Sequence, residues 1–218
     1  MKRETLLLAI DGPAASGKGT LARRLAAELG LAYLDTGLLY RAVGMAVLRR
    51  GLDPSDPTAA ETEARALSPN ALDDADLRCD AAAVAASKVA AIPAVRAALL
   101  EFQREFAKHP PGGARGAILD GRDIGTVVCP DADAKLFVTA SLRKRADRRV
   151  KELRERGVET IHERVLQDMK DRDARDSQRS VAPLVPAEDA FVLDTTLLDA
   201  DAAFAAALKH ISSRTRDP

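Results

Sequence analysis

Apolar positions along the chain follow two rhythms. Thr5 to Ile10 is an almost unbroken apolar run closed by Asp11-Gly12-Pro13, the pattern of a strand covered on both faces, as in a parallel sheet. Beyond a glycine-rich stretch, Leu21, Leu25 and Leu29 recur every four residues before Gly30, which predicts a helix with a glycine stop. Ala32 to Leu34 predicts a second strand, and about Leu38 to Arg50 a second helix closed by Gly51. Further strand signals fall at Ala117 to Leu119, Ala134 to Thr139 and Phe191 to Leu193. Pro93 suits a first helical turn, and Val95, Leu99, Phe102 and Phe106 then mark one helix face that ends at His109-Pro110-Pro111-Gly112-Gly113. Two charged helices, Ser141 to Arg156 and Thr160 to about Gln178, divide at Gly157; Thr160 and Glu163 have the spacing of a capping box. A last helix, about Asp199 to Ser212, turns Phe204, Leu208 and Ile211 inward. Five strands alternating with helices predict an α/β sandwich on a parallel sheet.

Residues 53–80 break this pattern, with eight acidic and two basic residues interrupted by Pro54, Pro57 and Pro69. They predict a loosely built insertion with a short helix around Thr58 to Leu67, followed by a helix over Ala81 to Ala91. No internal repeat is present, and the alanine-rich stretches read as helical composition. Only the last few residues are predicted to be disordered.

Composition narrows the function classes. Lys plus Arg number 33, as do Asp plus Glu, which argues against a dedicated nucleic-acid binder. Aromatic residues make up 3% and Trp is missing, so base-stacking platforms are not expected either. Cys79 and Cys129 are the two cysteines, too few for a disulfide framework, and read as reduced thiols of a cytosolic chain. No apolar run approaches the roughly 18 to 20 residues of a membrane span. Met1-Lys2-Arg3 resembles the start of a signal peptide, but the apolar stretch behind it ends at Asp11, too early for an h-region of about 7 to 15 residues. The expectation is a cytoplasmic protein without membrane or nucleic-acid partners.

The chemistry begins at Gly12-Pro13-Ala14-Ala15-Ser16-Gly17-Lys18-Gly19-Thr20, which contains G-x-x-x-x-G-K between a predicted buried strand and an amphipathic helix. Glycines let successive backbone N–H groups face one anion, and the helix adds its positive end. Lys18 supplies a mobile charge for the outer phosphates. The hydroxyl expected beside the lysine is displaced by one position, so Thr20 is the candidate for Mg²⁺, directly or through water. The motif indicates a nucleoside triphosphate and leaves the second substrate open.

Three clusters bear on that substrate. Asp35-Thr36-Gly37-Leu38-Leu39-Tyr40-Arg41 follows the second strand and should face the cleft beyond the sheet's carboxyl ends; a helix cap followed by a surface arginine would read the same. Asp120-Gly121-Arg122-Asp123 follows an apolar strand. Such charges need a ligand, a metal or each other, so Asp120 is a candidate for holding the hydration shell of Mg²⁺, and an Arg122–Asp123 ion pair is the plainer alternative. From Arg143 to Arg179 there are 13 basic and nine acidic residues. That density suits a solvated face, but Arg172, Arg175 and Arg179 are spaced to line one helix face, and arginine forks match phosphate oxygens. The two helices would make a lid hinged at Gly157, whose other reading is a helix-ending glycine.

GPAASGKGT, DTGLLYRAV, DGRDIGTVV and DRDARDSQRSVAPL, in that order, resemble bacterial cytidylate kinases, nucleoside monophosphate kinases of the P-loop class. The similarity runs from Leu8 to about Asp194. It implies a three-layer α/β/α sandwich with a five-stranded parallel sheet in one domain. Its core would span about 1–51, 93–140 and 181–218, with a monophosphate-binding insertion at about 52–92 and a lid at about 141–180. The implied reaction moves the γ-phosphoryl group of ATP to CMP or dCMP, giving ADP and CDP or dCDP, with Mg²⁺ as cofactor and a monomer as the working form. Gly12 to Thr20 would hold ATP. Ser87, Arg96 and Asp123 would read cytosine, and Asp176 would meet the sugar hydroxyls. Thr36, Tyr40, Arg41 and Asp120 would line the acceptor side, and Arg41, Arg122, Arg172 and Arg179 would hold the acceptor phosphate and the group in transfer, with Lys18, Arg122, Arg172 and Arg179 catalytic. The insertion departs from the family pattern, being short and rich in Asp and Ala, and Leu77-Arg78-Cys79-Asp80-Ala81-Ala82 replaces the usual I-R-T-x-E-V.

An Asp can accept from the exocyclic amine of cytosine, whereas uracil would set a carbonyl lone pair against it. The phosphate of CMP is already anionic near neutral pH, with a second pKa of about 6, so no general base is needed. His109, His162 and His210 read as solvated surface residues. Competing readings are a P-loop kinase for another small acceptor, a nucleotide-dependent switch and, last, a nucleic-acid binder using the basic lid. Two anion sites disfavour the switch.

Overall fold

The structure, a computed structural model, describes residues 5–215. The readings of Met1 to Arg3 and of disorder in the last few residues fall outside that range.

Five strands, β1 (Leu6–Asp11), β2 (Ala32–Asp35), β3 (Gly116–Gly121), β4 (Ala134–Thr139) and β5 (Phe191–Asp194), form one sheet in the order β2-β3-β1-β4-β5. Every neighbouring pair is parallel. The helices are α1 (Lys18–Leu29), α2 (Thr36–Arg49), α3 (Pro57–Arg65), α4 (Asp80–Val89), α5 (Pro93–Lys108), α6 (Leu142–Glu155), α7 (His162–Ser177) and α8 (Ala200–Thr215).

The continuous apolar run of β1 serves two cores, because successive side chains leave a strand on opposite faces. Leu8 and Ile10, with Ile118, Leu136 and Val138, pack against Leu21 and Leu25 of α1 and Ala207 and Ile211 of α8. Leu7 and Ala9, with Ala117 and Leu119, pack against Ala107 of α5 and against Ile124, Val128 and Cys129. This is the three-layer sandwich expected. The strands run past their apolar stretches into Asp11, Asp35, Asp120 and Asp194, so pairing carries these carboxylates to the sheet's carboxyl edge, where an α/β cleft lies.

The acidic insertion is more ordered than its composition suggests. Ala60 and Ala64 of α3 and Ala86 and Val89 of α4 join Leu39, Val43 and Val47 of α2 and Val95 and Leu99 of α5 in one buried cluster. Small residues permit close approach: a Cβ on Gly44 of α2 would stand 2.7 Å from Ala85 Cβ of α4. Two short 3₁₀ turns, Pro69–Asp73 and Ala75–Arg78, fill the rest. The α6–α7 pair has its own small core of Ala146, Val150, Leu153, Val165 and Met169.

Other expectations are corrected. The Thr160–Glu163 capping box does not form: Ile161 is the N-cap of α7 and no side chain caps it. The helix starts past the threonine, at His162, which bonds Asp147 of α6 at 2.8 Å. His109 is exposed as expected. His162 is only partly so, and His210 is half-buried: its ring stacks on Phe191 at 4.5 Å, its Nε2 is buried with no partner among the described residues, and burial lowers its pKa. Cys79 Sγ caps α4 by accepting from Ala82 N at 3.3 Å. Among the described residues no single helix is long and apolar enough to cross a membrane.

Candidate active site

The glycine loop leaves β1 through backbone that few residues could adopt. At Gly12, φ is +149° and a Cβ would lie 2.0 Å from the Val138 carbonyl oxygen; Gly17 has φ +96°. Ala15 takes φ 57° without being glycine, a strain the neighbours must hold. They do so through the loop's carbonyls. Arg145 Nη1 donates to Ala14 O at 3.3 Å, Arg148 Nη1 to Ser16 O at 3.0 Å, and Thr195 Oγ1 to Ser16 O at 2.9 Å. With these carbonyls occupied, the loop and the start of α1 offer N–H groups to an anion.

Lys18 opens α1, and its Nζ lies 3.7 Å from Asp120 Oδ1. Burial, with Arg122 close by, pulls its pKa down to about 8. Gly19, not Thr20, faces Asp120: a Cβ there would stand 3.2 Å from Asp120 Oδ2. Thr20 is exposed and lies outside the lining of the cleft, because one step along a helix turns a side chain by about 100°. Asp120 lies beside Asp35 in the sheet register, accepts from Tyr33 Oη at 3.2 Å, and its backbone oxygen accepts from Thr36 Oγ1 at 2.8 Å. Burial pushes the Asp120 carboxyl up, against the pull of Lys18. Two adjacent carboxylates at strand ends, one of them close to the lysine of the phosphate loop, are a hard-oxygen donor set that suits Mg²⁺ shared with phosphates.

The cleft above these groups has a volume of about 1360 Å³ and is lined by Ala14, Ala15, Lys18 and Gly19 of the glycine loop and by Arg41, Arg122, Arg149, Arg172 and Arg175. Arg172 Nε is buried without a partner among the described residues, and burial beside Arg122 pulls that guanidinium down to about 10. Clustered, desolvated guanidiniums with spare donors fit phosphate oxygens. Arg41 donates to the Leu77 and Cys79 carbonyls at 2.8 and 3.3 Å, linking the arginine side of the cleft to the insertion.

Below this wall lies a second, buried cluster. Arg96 pairs with Asp123 and its guanidinium stands 5.5 Å from the Tyr40 ring centroid. Arg122 Nε donates to Asp176 Oδ2 at 3.1 Å, so the neighbouring Arg122–Asp123 pair weighed from sequence is replaced by two longer-range pairs. Burial acts to raise the Asp176 carboxyl, but Arg122, Arg172 and Arg179 outweigh it and hold it below the usual range. Arg175 Nε donates to Ser87 Oγ at 3.1 Å, joining α7 to α4. Arg179 lies beyond the end of α7 and donates from Nε to Asp176 O at 3.2 Å; the expected single face of three arginines is therefore two helical residues plus one in the following loop. Gly157 closes α6 with φ +75°.

Sequence reading passed over Arg145, Arg148 and Arg149, which α6 directs at the glycine loop and the insertion. Their three- and four-residue spacing was a signal, hidden in a run of other charges. Tyr33 and Asp11 carried no signal of their own.

The sequence profile of the cytidylate kinase family, described as "Cytidylate kinase", matches residues 8–213. The chain is 69% identical to the cytidylate kinase of Paramagnetospirillum magneticum over 95% of this chain and 98% of that one. It is 60% identical to the cytidylate kinase of Rhodospirillum rubrum, over 97% and 99%. Among solved structures it resembles a sugar kinase from Janibacter sp. HTCC2649 (TM-score 0.51, 16% identity, 98% and 99% covered). An uncharacterized protein from Eubacterium ventriosum is also similar (TM-score 0.55, 16% identity, 96% and 99% covered). Those two likenesses concern the fold alone. The order of motifs around one two-sided phosphate cleft and the extent of these matches lead to one conclusion: the chain belongs to the cytidylate kinase family.

Proposed function

We infer that the chain transfers the γ-phosphoryl group of ATP to CMP or dCMP, yielding ADP and CDP or dCDP, a step of pyrimidine nucleotide metabolism. The observation that carries this reading is a single cleft with the glycine loop and Lys18 on one side and Arg41, Arg122 and Arg172 on the other. A hydrolytic switch needs only the first of these; a transferase needs both.

The α2–α5 insertion is assigned to the monophosphate, and the α6–α7 pair to a lid. A phosphate oxygen of CMP attacks the γ-phosphorus in line. It is anionic near neutral pH, so the chain's task is positioning and charge neutralisation. Lys18 and the loop hold the donor, while Arg122 and Arg172, with Arg179 behind them, neutralise the group in transfer. Asp120 and Asp35 would hold Mg²⁺, directly or through water, and the ion would supply further charge neutralisation. Lid closure excludes water that would otherwise compete as acceptor. Ser87, Arg96 and Asp123 are assigned to cytosine and Asp176 to the sugar. For the base to be read, the Arg96–Asp123 pair must share its hydrogen bonds with the ligand. Every group named lies in one chain, which supports a monomer as the working unit, and free ATP and CMP as substrates support a cytoplasmic location.

The test is transfer of label from γ-labelled ATP, with the product separated and identified. Labelled CDP supports the reading; release of labelled inorganic phosphate at a rate indifferent to CMP contradicts it.

A further inference from the structure

Asp11 is the last residue of β1, directly before Gly12, and it is buried. Its carboxylate does not face the cleft's phosphate side; it accepts from Ile124 N at 2.8 Å through Oδ1 and from Gly125 N at 2.7 Å through Oδ2. Those two amides open a single wide turn, Ile124–Val128, whose N-cap is Asp123 and which no local side chain caps. The first N–H groups of any helical turn lack partners within it, and here a carboxylate 113 residues upstream supplies them. The other end of the turn is tied separately, by Arg104 to the carbonyls of Val127 and Val128.

We propose that Asp11 is a positioning residue for acceptor recognition: by clamping Ile124 and Gly125 it fixes where Asp123 stands, and so ties the base-reading turn to the strand that carries the glycine loop. This rests on the assignment of Asp123 to cytosine. The strand does not depend on the clamp in return. Asp11 is registered against Gly121 on one side and Phe137 on the other, so β1 and its loop keep two strand partners when the carboxylate is altered. At its start the turn is also held by the Arg96–Asp123 pair and by the buried Ile124 side chain, but it is Asp11 that satisfies its first two amides. Asp11 therefore acts on the acceptor although it is adjacent in sequence to the donor loop.

Asp11→Asn is the discriminating variant, because an amide has one acceptor oxygen and leaves one of the two backbone N–H groups facing an NH₂. The expected result is a KM for CMP raised about tenfold, the scale of one lost charge-assisted hydrogen bond, with KM for ATP within about twofold of wild type and a narrowed preference for CMP over UMP. In an Asp123→Asn background the same change should move KM for CMP by less than about twofold, since the residue it positions is already altered. Equal rises in both KM values, full additivity with Asp123→Asn, or an unchanged KM for CMP would each overturn the proposal. Should Asp11→Asn not fold, Gly125→Ala takes its place: its Cβ would press within 3.4 Å of Asp11 Oδ2 and 3.2 Å of Lys135 Cδ, and at least about a threefold rise in KM for CMP alone is expected, with no rise or a matching rise for ATP overturning it. Wild-type protein that ignores CMP would instead defeat the functional reading on which this one stands.

Discussion

Lys18 is the cation placed worst for itself and best for a phosphate. It is buried, it faces the cleft, and its nearest anion is Asp120 at 3.7 Å, a distance at which the pair is an ion contact and not a hydrogen bond. Replacing it with methionine keeps the stem that packs and removes the charge. Lys18→Met should melt within a few degrees of wild type while kcat falls about a hundredfold to a thousandfold, the cost of losing one preorganised stabiliser of transferring charge; a melting curve and a steady-state rate check this. The same lysine sets a proton signature. Burial holds its pKa at about 8 against the usual 10.5, so between those values the unfolded chain carries more protons, and Lys18's contribution to stability rises as pH rises through that window. A polyphosphate restores the charge. ATP binding at pH about 8.5 should therefore take up protons, seen as a dependence of calorimetric heat on buffer ionisation enthalpy, and Lys18→Met should lose that uptake.

At the scale of elements, α6 is the piece that joins the α6–α7 pair to the glycine loop. Arg145 is buried and spends its whole fork: Nε on Ala140 O at 2.9 Å, Nη1 on Ala14 O at 3.3 Å and Asp173 Oδ1 at 3.2 Å, and Nη2 on Asp173 Oδ2 at 2.6 Å. A lysine reaches one of these partners and cannot make the bidentate pair. Arg145→Lys should raise KM for ATP about tenfold and lower Tm by about 5 °C, the scale of a buried charge network losing part of its bonds; thermal melting and ATP titration of the rate measure both. This element also shows where sequence reading stops. The period of α6 and the glycine after it were visible, as were β1, α1 and β4, whose apolar rhythm reports burial directly. Which of many arginines turns toward a carbonyl 131 residues away is not written in any local period. Thr160 and Glu163 had the spacing of a cap, but α7 begins at His162, which bonds Asp147 of α6. The acidic insertion looked loose because its alanines carry little apolar signal, although small side chains are what let α2 and α4 meet.

Over the whole molecule the balanced charge is unevenly spread, acidic in the insertion and basic in the α6–α7 pair, and the two regions meet. Arg149 of α6 pairs with Asp80 at the start of α4, and Arg156 donates to Arg78 O at 2.8 Å. The motifs of the cleft were legible because phosphate chemistry demands particular residue types at fixed spacing. The pairing of Arg96 with Asp123 and of Arg122 with Asp176 was not, since it depends on how the two lobes fold against one sheet. The proposed function requires that this cleft take two phosphates and one base. ADP release from Mg²⁺-ATP, coupled to a spectrophotometric readout, tests this most directly with CMP, dCMP, UMP, AMP and GMP as separate acceptors. Fast turnover with CMP and dCMP, slow with UMP and none with AMP or GMP is the predicted result. Turnover that does not depend on any acceptor, or that favours a purine monophosphate, would contradict it.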